Sequence, residues 1–171
     1  MRPKPAGIAA LIGVVAPEVL TDAIEASKKL TNLGVPHALV GGLAVGLHGH
    51  PRATKDADYI VGEAAFHSTS QLLVYRDDLK DLVERSDVDL IAVPPGHPHI
   101  ADLLVLPVES TIPVLPVEAL VLMKLEAGRS QDRADVVALL KAGASVDDIA
   151  RYLRREAPGL LPAFSELQEE R

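Results

Sequence analysis

Four acidic residues of this 171-residue chain fall into two short patterns that suit a hard cation. Asp56-Ala-Asp58 opens a stretch, Tyr59-Ile60-Val61, made of β formers. Residues two apart in a strand share a face, so both carboxylates project together. Like charges about 4 Å apart repel by roughly 4 kcal/mol at an effective dielectric of about 20. A divalent cation offsets such repulsion; the alternative is a solvated strand edge. Asp87-Val-Asp89-Leu-Ile91 alternates acid and aliphatic, with Val88 and Leu90 facing one way and the acids the other. A strand otherwise apolar through Val93 does not turn acids inward without a partner. Of this pair Asp89 is favoured, because apolar residues flank it on both sides. If the two strands are neighbours, three or four carboxylates converge on an all-oxygen site suited to Mg²⁺ or Mn²⁺.

Further residues carry chemistry less directly. Gly41-Gly42 follows an apolar run and precedes a short helical pattern. Two residues without Cβ let a phosphate approach the backbone at a helix start, although such a turn also serves purely structural ends. Lys124 sits in a strongly apolar helical stretch, where it either faces phosphates or carries its charge out to the surface. Asp132 and Asp135 share a helical face, and the structural reading pairs them with Arg129 or Arg133. His97-Pro-His99 resembles a metal pair but has no further ligands in sequence, so it is read as a solvated loop. His48 and His50, either side of Gly49, are read as loop residues.

The elements that must hold these residues are legible from punctuation and period. Pro17 opens a helix that runs to about Leu33 and stops at Gly34. His37–Val40 reads as a short buried strand, Leu43–His48 as a short helix, 50–54 as a loop and 56–61 as a strand. Residues 63–86 are hardest to read: Gln71–Tyr75 as a strand, Asp77–Arg85 as a helix. Asp87–Val93 is a strand, 94–99 a loop and Thr111–Leu115 a short extended piece. Pro116 starts a helix ended by Gly128, Asp132–Leu140 forms the next, and Ser145 caps a third running to about Arg155. Residues 163–171 read as a polar tail or a frayed helix. The expected class is α+β in layers, a small mixed sheet flanked by helices with C-terminal helices after it. One domain is expected over residues 1–171, its core at about 17–141 and a helical part at about 142–171.

Composition narrows the function classes. Hydrophobic residues are 48% and charged residues 24%, which is globular rather than disordered. Three Tyr, two Phe and no Trp leave few platforms for base stacking. The net charge of -7 argues against a broad nucleic-acid surface, though a local basic pocket is compatible with it. The absence of cysteine excludes disulfides, thiolate metal sites and a Cys nucleophile. No apolar run reaches membrane-spanning length, so no membrane role is expected. The basic start Met1–Pro5 and apolar 6–16 are read as a segment packing on the domain rather than a leader, and the expected location is cytoplasmic.

Taken together, Gly41-Gly42, thirteen intervening residues, Asp56-x-Asp58 and an aliphatic-Asp89-aliphatic strand resemble the polymerase-beta-like nucleotidyltransferase superfamily. Residues 39–58, together with Leu115–Lys124 and Ala127–Asp135, look most like the small AbiEii-type bacterial nucleotidyltransferases. The resemblance spans residues 30–62, 86–93 and 111–141. It implies that Asp56 and Asp58 hold the metals bridging the phosphates. Asp89 would complete the site and help activate the attacking hydroxyl, and Gly41 and Gly42 would cradle the triphosphate. Arg52 and Thr54 match the Arg-x-Thr that precedes the acids, and Lys124 matches a helical lysine placed toward the phosphates. Many relatives carry serine in place of the second glycine, and a long helix after the Asp-x-Asp strand is expected but not visible here.

Two functions follow. The first is transfer of NMP from an NTP, with Mg²⁺ or Mn²⁺, to an unidentified hydroxyl of a protein, tRNA or small molecule. The second is a binding or regulatory protein of the same fold, paired with an antitoxin-like protein partner and weak or inactive in catalysis.

Overall fold

The computed structural model describes residues 5–69, 72–108 and 111–171. Helix α1 spans Pro17–Asn32, with its proline in the first turn where no amide partner is needed. Gly34, at φ +70°, turns the chain into strand β1, His37–Val40. Helix α2 is Gly41–Leu47 and strand β2 is Ala57–Val61. A hairpin of β3, Phe66–Thr69, and β4, Leu72–Tyr75, leads to α3, Asp77–Arg85, and strand β5, Val88–Ala92. Four helices close the chain: α4, Val117–Ala127; α5, Ser130–Lys141; α6, Val146–Glu156; and α7, Leu161–Glu169.

The main sheet has the order β1-β2-β5, with β1 antiparallel to β2 and β2 parallel to β5. This is the expected α+β class, a small mixed sheet flanked by helices with a helical C-terminal region. A parallel pair cannot be joined by a tight turn, and here the β3–β4 hairpin and α3 make the crossover. The outer edge of β1 is covered: the His37 amide donates to Val105 O at 3.0 Å and the Leu39 amide to Pro113 O at 2.7 Å. All four β1 residues are consequently buried, which is why they read as an unbroken apolar run.

Strand alternation divides the interior in two. Ala38, Val40 and Ile60 join a core with α4–α7, while Leu39, Ala57, Tyr59, Val61, Val88 and Leu90 join another with α1 and α3. Helix α4 is apolar nearly all round because it is covered nearly all round, with Ala119, Leu120, Val121 and Leu122 at most 1% exposed. Ser145 caps α6, its hydroxyl accepting from the Asp148 amide at 3.2 Å. At the N-terminal end Leu11 and Val15 are buried and the Ala6 amide donates to Leu47 O, so this segment packs on the rest.

Several expectations change. The segment read as a polar tail or frayed helix is the packed helix α7, anchored by Phe164 and Leu167, both fully buried. Helix α2 starts at Gly41, two residues before the sequence suggested. Strand β3 was not anticipated, and β4 begins at Leu72; Gln71, expected in that strand, lies outside the described residues. Among the described residues no helix is long and apolar enough to cross a membrane.

Candidate functional site

Asp58 and Asp89 are register partners on the parallel strands β2 and β5, and Val40 is the partner of Asp58 on β1. Partners in register share a face, and this face is the one that α4 covers. Asp56 stands just ahead of β2, two residues from Asp58. One carboxylate oxygen from each of Asp56, Asp58 and Asp89 lies within 4.8 Å of the others. Asp58 is partly buried, and that burial, followed by the charges of Asp56 and Asp89, pushes its carboxyl up to about 6; Lys124 and Arg129 act in the opposite direction. Three hard oxygen donors at this spacing suit a metal ion, and a cation here would offset the repulsion that helps to raise Asp58.

The two glycines are packed against the site's own side chains. Gly41 has φ +64°, and a Cβ on it would lie 1.9 Å from Asp58 Oδ2. Asp58 therefore rests directly on the Gly41 backbone, instead of facing it across open space. A Cβ on Gly42 would lie 2.8 Å from Thr54 Oγ1 and 3.3 Å from an Arg52 guanidinium nitrogen. Thr54 in turn donates to Asp56 Oδ1 at 3.2 Å. Gly41 and Gly42 thus let the Arg52–Thr54 loop and the acidic strand close on one another.

A cleft of about 410 Å³ opens over the acids, with Gly41, Asp58 and Asp89 on one side and Lys124, Arg129 and Asp132 on the other. Its second wall is a chain of ion pairs. Lys124 Nζ donates to Asp135 Oδ2 at 2.7 Å and to Asp132 Oδ1 at 3.1 Å. Arg52 grips Asp135 with two nitrogens, Nε at 2.8 Å and Nη2 at 2.9 Å. Arg129 Nε donates to Asp132 Oδ2 at 2.7 Å. Burial pushes the carboxyls of Asp132 and Asp135 up, but the hydrogen bonds from Arg129 and Lys124 to the first, and from Arg52, Lys124 and Gln131 to the second, outweigh it and hold both low.

These placements revise the reading of the basic residues. Lys124 is 6% exposed, so it does not reach the surface. Arg52 is brought to the same wall through Asp135. Arg133, one of two candidate partners for the acids of α5, instead approaches Glu166 on α7 and Glu170 just after it. The importance of Asp132 and Asp135 was available as a pattern: Asp132, Asp135, Val136 and Leu139 follow i, i+3, i+4, i+7, the spacing of a buried stripe, and all four are buried. Acids on that stripe require cations inside.

The histidines also differ from expectation. His97 is buried against Glu126, with Nε2 at 2.9 Å, and His99 is half-buried between Tyr152 and Glu156, so this segment is no solvated loop. It packs on the C-terminal ends of α4 and α6. His48 Nε2 bonds Leu115 O at 2.8 Å, tying α2 to the segment before α4.

The chain matches no family model and no curated protein. What the site can do rests on its geometry: an acidic trio spaced for a metal ion faces, across a cleft, a wall of cations paired with Asp132 and Asp135.

Proposed function

We propose that the chain is a metal-dependent nucleotidyltransferase of the polymerase-beta-like kind, moving NMP from an NTP to a hydroxyl acceptor. One observation carries this reading: the register pairing of Asp58 with Asp89, with Asp56 alongside, opposite a wall holding Lys124 and Arg129. In such a transfer the acceptor oxygen bonds to the α-phosphorus while its bond to the bridging oxygen of the β-phosphate breaks, and pyrophosphate leaves. Asp56, Asp58 and Asp89 would hold Mg²⁺ or Mn²⁺, which when bound neutralises charge on the phosphates in transfer. Asp89 is the exposed member of the trio, so its carboxylate is open to an incoming hydroxyl and can take its proton. Lys124, two of its three donors held by Asp132 and Asp135, would present the remainder to the phosphates from a fixed position. Arg52 and Asp135 set that position from behind.

The test is transfer of label from α-³²P NTPs, with Mg²⁺ or Mn²⁺, to fractions of a cell lysate, beside Asp58→Asn and Asp89→Asn. The expected result is metal-dependent labelling by the wild-type chain alone. A second reading has one observation in its favour: between β2 and β5 the described residues form a single short 3-10 turn, a hairpin and the nine-residue α3, leaving little structure to hold an acceptor. A binding or regulatory protein, paired with an antitoxin-like partner, would show NTP–Mg²⁺ stabilisation without labelling of any fraction.

A further inference from the structure

The chain has three tyrosines, and they are placed differently. Tyr59 is enclosed, its hydroxyl donating to Ala23 O at 2.7 Å, and Tyr152 lies on α6 against His99. Tyr75 ends β4, and its hydroxyl donates to Leu90 O on β5. Leu90 follows Asp89, and both residues line the cleft. The phenolic oxygen therefore rests on the residue next to the exposed member of the acidic trio. Phe66, paired with Tyr75 across the hairpin, stacks on its ring at 5.2 Å between centroids and holds it there.

Strand pairing explains how a side chain of the hairpin comes so near the acids. The Ala57 amide donates to Asp87 O, so Asp87, Asp89 and Ile91 turn their backbone groups toward β2. Leu90 turns its carbonyl the other way, to the outer edge of the sheet, where β5 is the last strand. Tyr75 meets β5 along that edge. Burial, followed by the charge of Asp89, holds the Tyr75 hydroxyl above its ordinary value, so at neutral pH it keeps its proton. Thr54, another hydroxyl beside the trio, is committed to Asp56 and packed against Gly42.

Resting on the nucleotidyl transfer proposed above, we infer that Tyr75 is an acceptor within the chain itself, its hydroxyl receiving NMP to become a tyrosyl phosphodiester. The phenolic oxygen bonds to the α-phosphorus, the bond from that phosphorus to the oxygen bridging to the β-phosphate breaks, and pyrophosphate leaves. The phenolic proton passes to Asp89. Tyr75 gives up its hydrogen bond to Leu90 O in the process, and no further reactant is needed. The hairpin between β2 and β5, which leaves little structure to hold a foreign acceptor, supplies one of its own.

The full chain, purified and incubated with an NTP and Mg²⁺ or Mn²⁺ in the absence of other protein, tests this by intact mass. The wild-type chain is expected to gain the mass of one NMP, mapped to Tyr75 by fragmentation of its peptides. Tyr75→Phe, which keeps the ring and its stacking, should lose that label, and Asp58→Asn should lose it as well. Calorimetric titration of Tyr75→Phe with an α,β-methylene NTP and Mg²⁺ should show that nucleotide binding is kept, so that the lost label reports the missing hydroxyl. Labelling of lysate fractions by a wild-type chain that gains no NMP overturns the inference and leaves the nucleotidyl reading standing. So does NMP mapped to another residue, or a label undiminished in Tyr75→Phe. Absence of transfer to the chain and to every lysate fraction overturns the two together.

Discussion

Replacing Lys124 by methionine removes one charge from the buried wall while keeping most of the side chain's volume. The ammonium is 2.7 Å from Asp135 and 3.1 Å from Asp132, and its side chain is 7% exposed. Breaking a buried ion pair costs about 3–5 kcal/mol because the remaining charge is left unpaired. Here each acid retains an arginine, Arg52 on Asp135 and Arg129 on Asp132, so the expected loss is about 2–3 kcal/mol. In a chain of this size that lowers the melting temperature by about 4–12 °C. An exposed lysine would give about 0–1 kcal/mol. Urea denaturation at neutral pH, repeated at high salt, measures the difference, and burial should make it nearly independent of salt. Combining Lys124→Met with Asp135→Asn should return a coupling above about 1 kcal/mol, since the two groups touch. A loss below about 1 kcal/mol that vanishes in salt would refute the buried network.

Gly41→Ala should cost at least about 2 kcal/mol, since it strains a φ of +64° and drives a methyl into Asp58, and Mg²⁺ should then give the variant little thermal stabilisation; Gly42→Ala meets the Thr54 and Arg52 side chains at an ordinary φ and should cost less. Asp58 supplies a pH test in EDTA. Its carboxyl is raised from 3.8 to about 6 on folding, so the folded state holds the proton more tightly and stability falls as pH rises from about 4 through about 6. Asp58→Asn should therefore melt higher than wild type at about pH 7.5 and level with it near pH 4, as followed by circular dichroism; parallel pH profiles would show that Asp58 is not strained.

The acidic half of the site was readable because strands have a period of two. That period put Asp56 with Asp58 and turned Asp89 away from Val88 and Leu90, and the pairing of β2 with β5 brought the two patterns together. The basic half was obscure because its order is set by contacts distant in sequence. Arg52 meets Asp135 across 83 residues, and nothing local to either shows it. Helix α4 offers no continuous polar face to indicate where Lys124 points, since the helix is covered nearly all round. Residues 163–171 read as polar because Glu166, Glu169 and Glu170 outnumber the two apolar side chains, Phe164 and Leu167, that do the anchoring. His97 was misjudged for a similar reason: its proline neighbours indicate a loop, and only α4 supplies the Glu126 that encloses it.

The packing of the α4–α7 block on one sheet face gives the cleft a mechanical character. Lys124, Arg129, Asp132 and Asp135 belong to the helical block behind one sheet face, whereas the trio is carried by the strands and Arg52 by the loop beside them. Partial opening of a folded chain tends to follow such boundaries, one cooperative block loosening while its neighbour holds. The cleft lies where this helical block meets the sheet face, within the first core, and the Arg52–Asp135 pair spans it like a strap. Loosening α4 and α5 would draw the cations back from the carboxylates as a group, without disturbing the register of β2 and β5. Any ligand anchored on both walls would fasten the two blocks together.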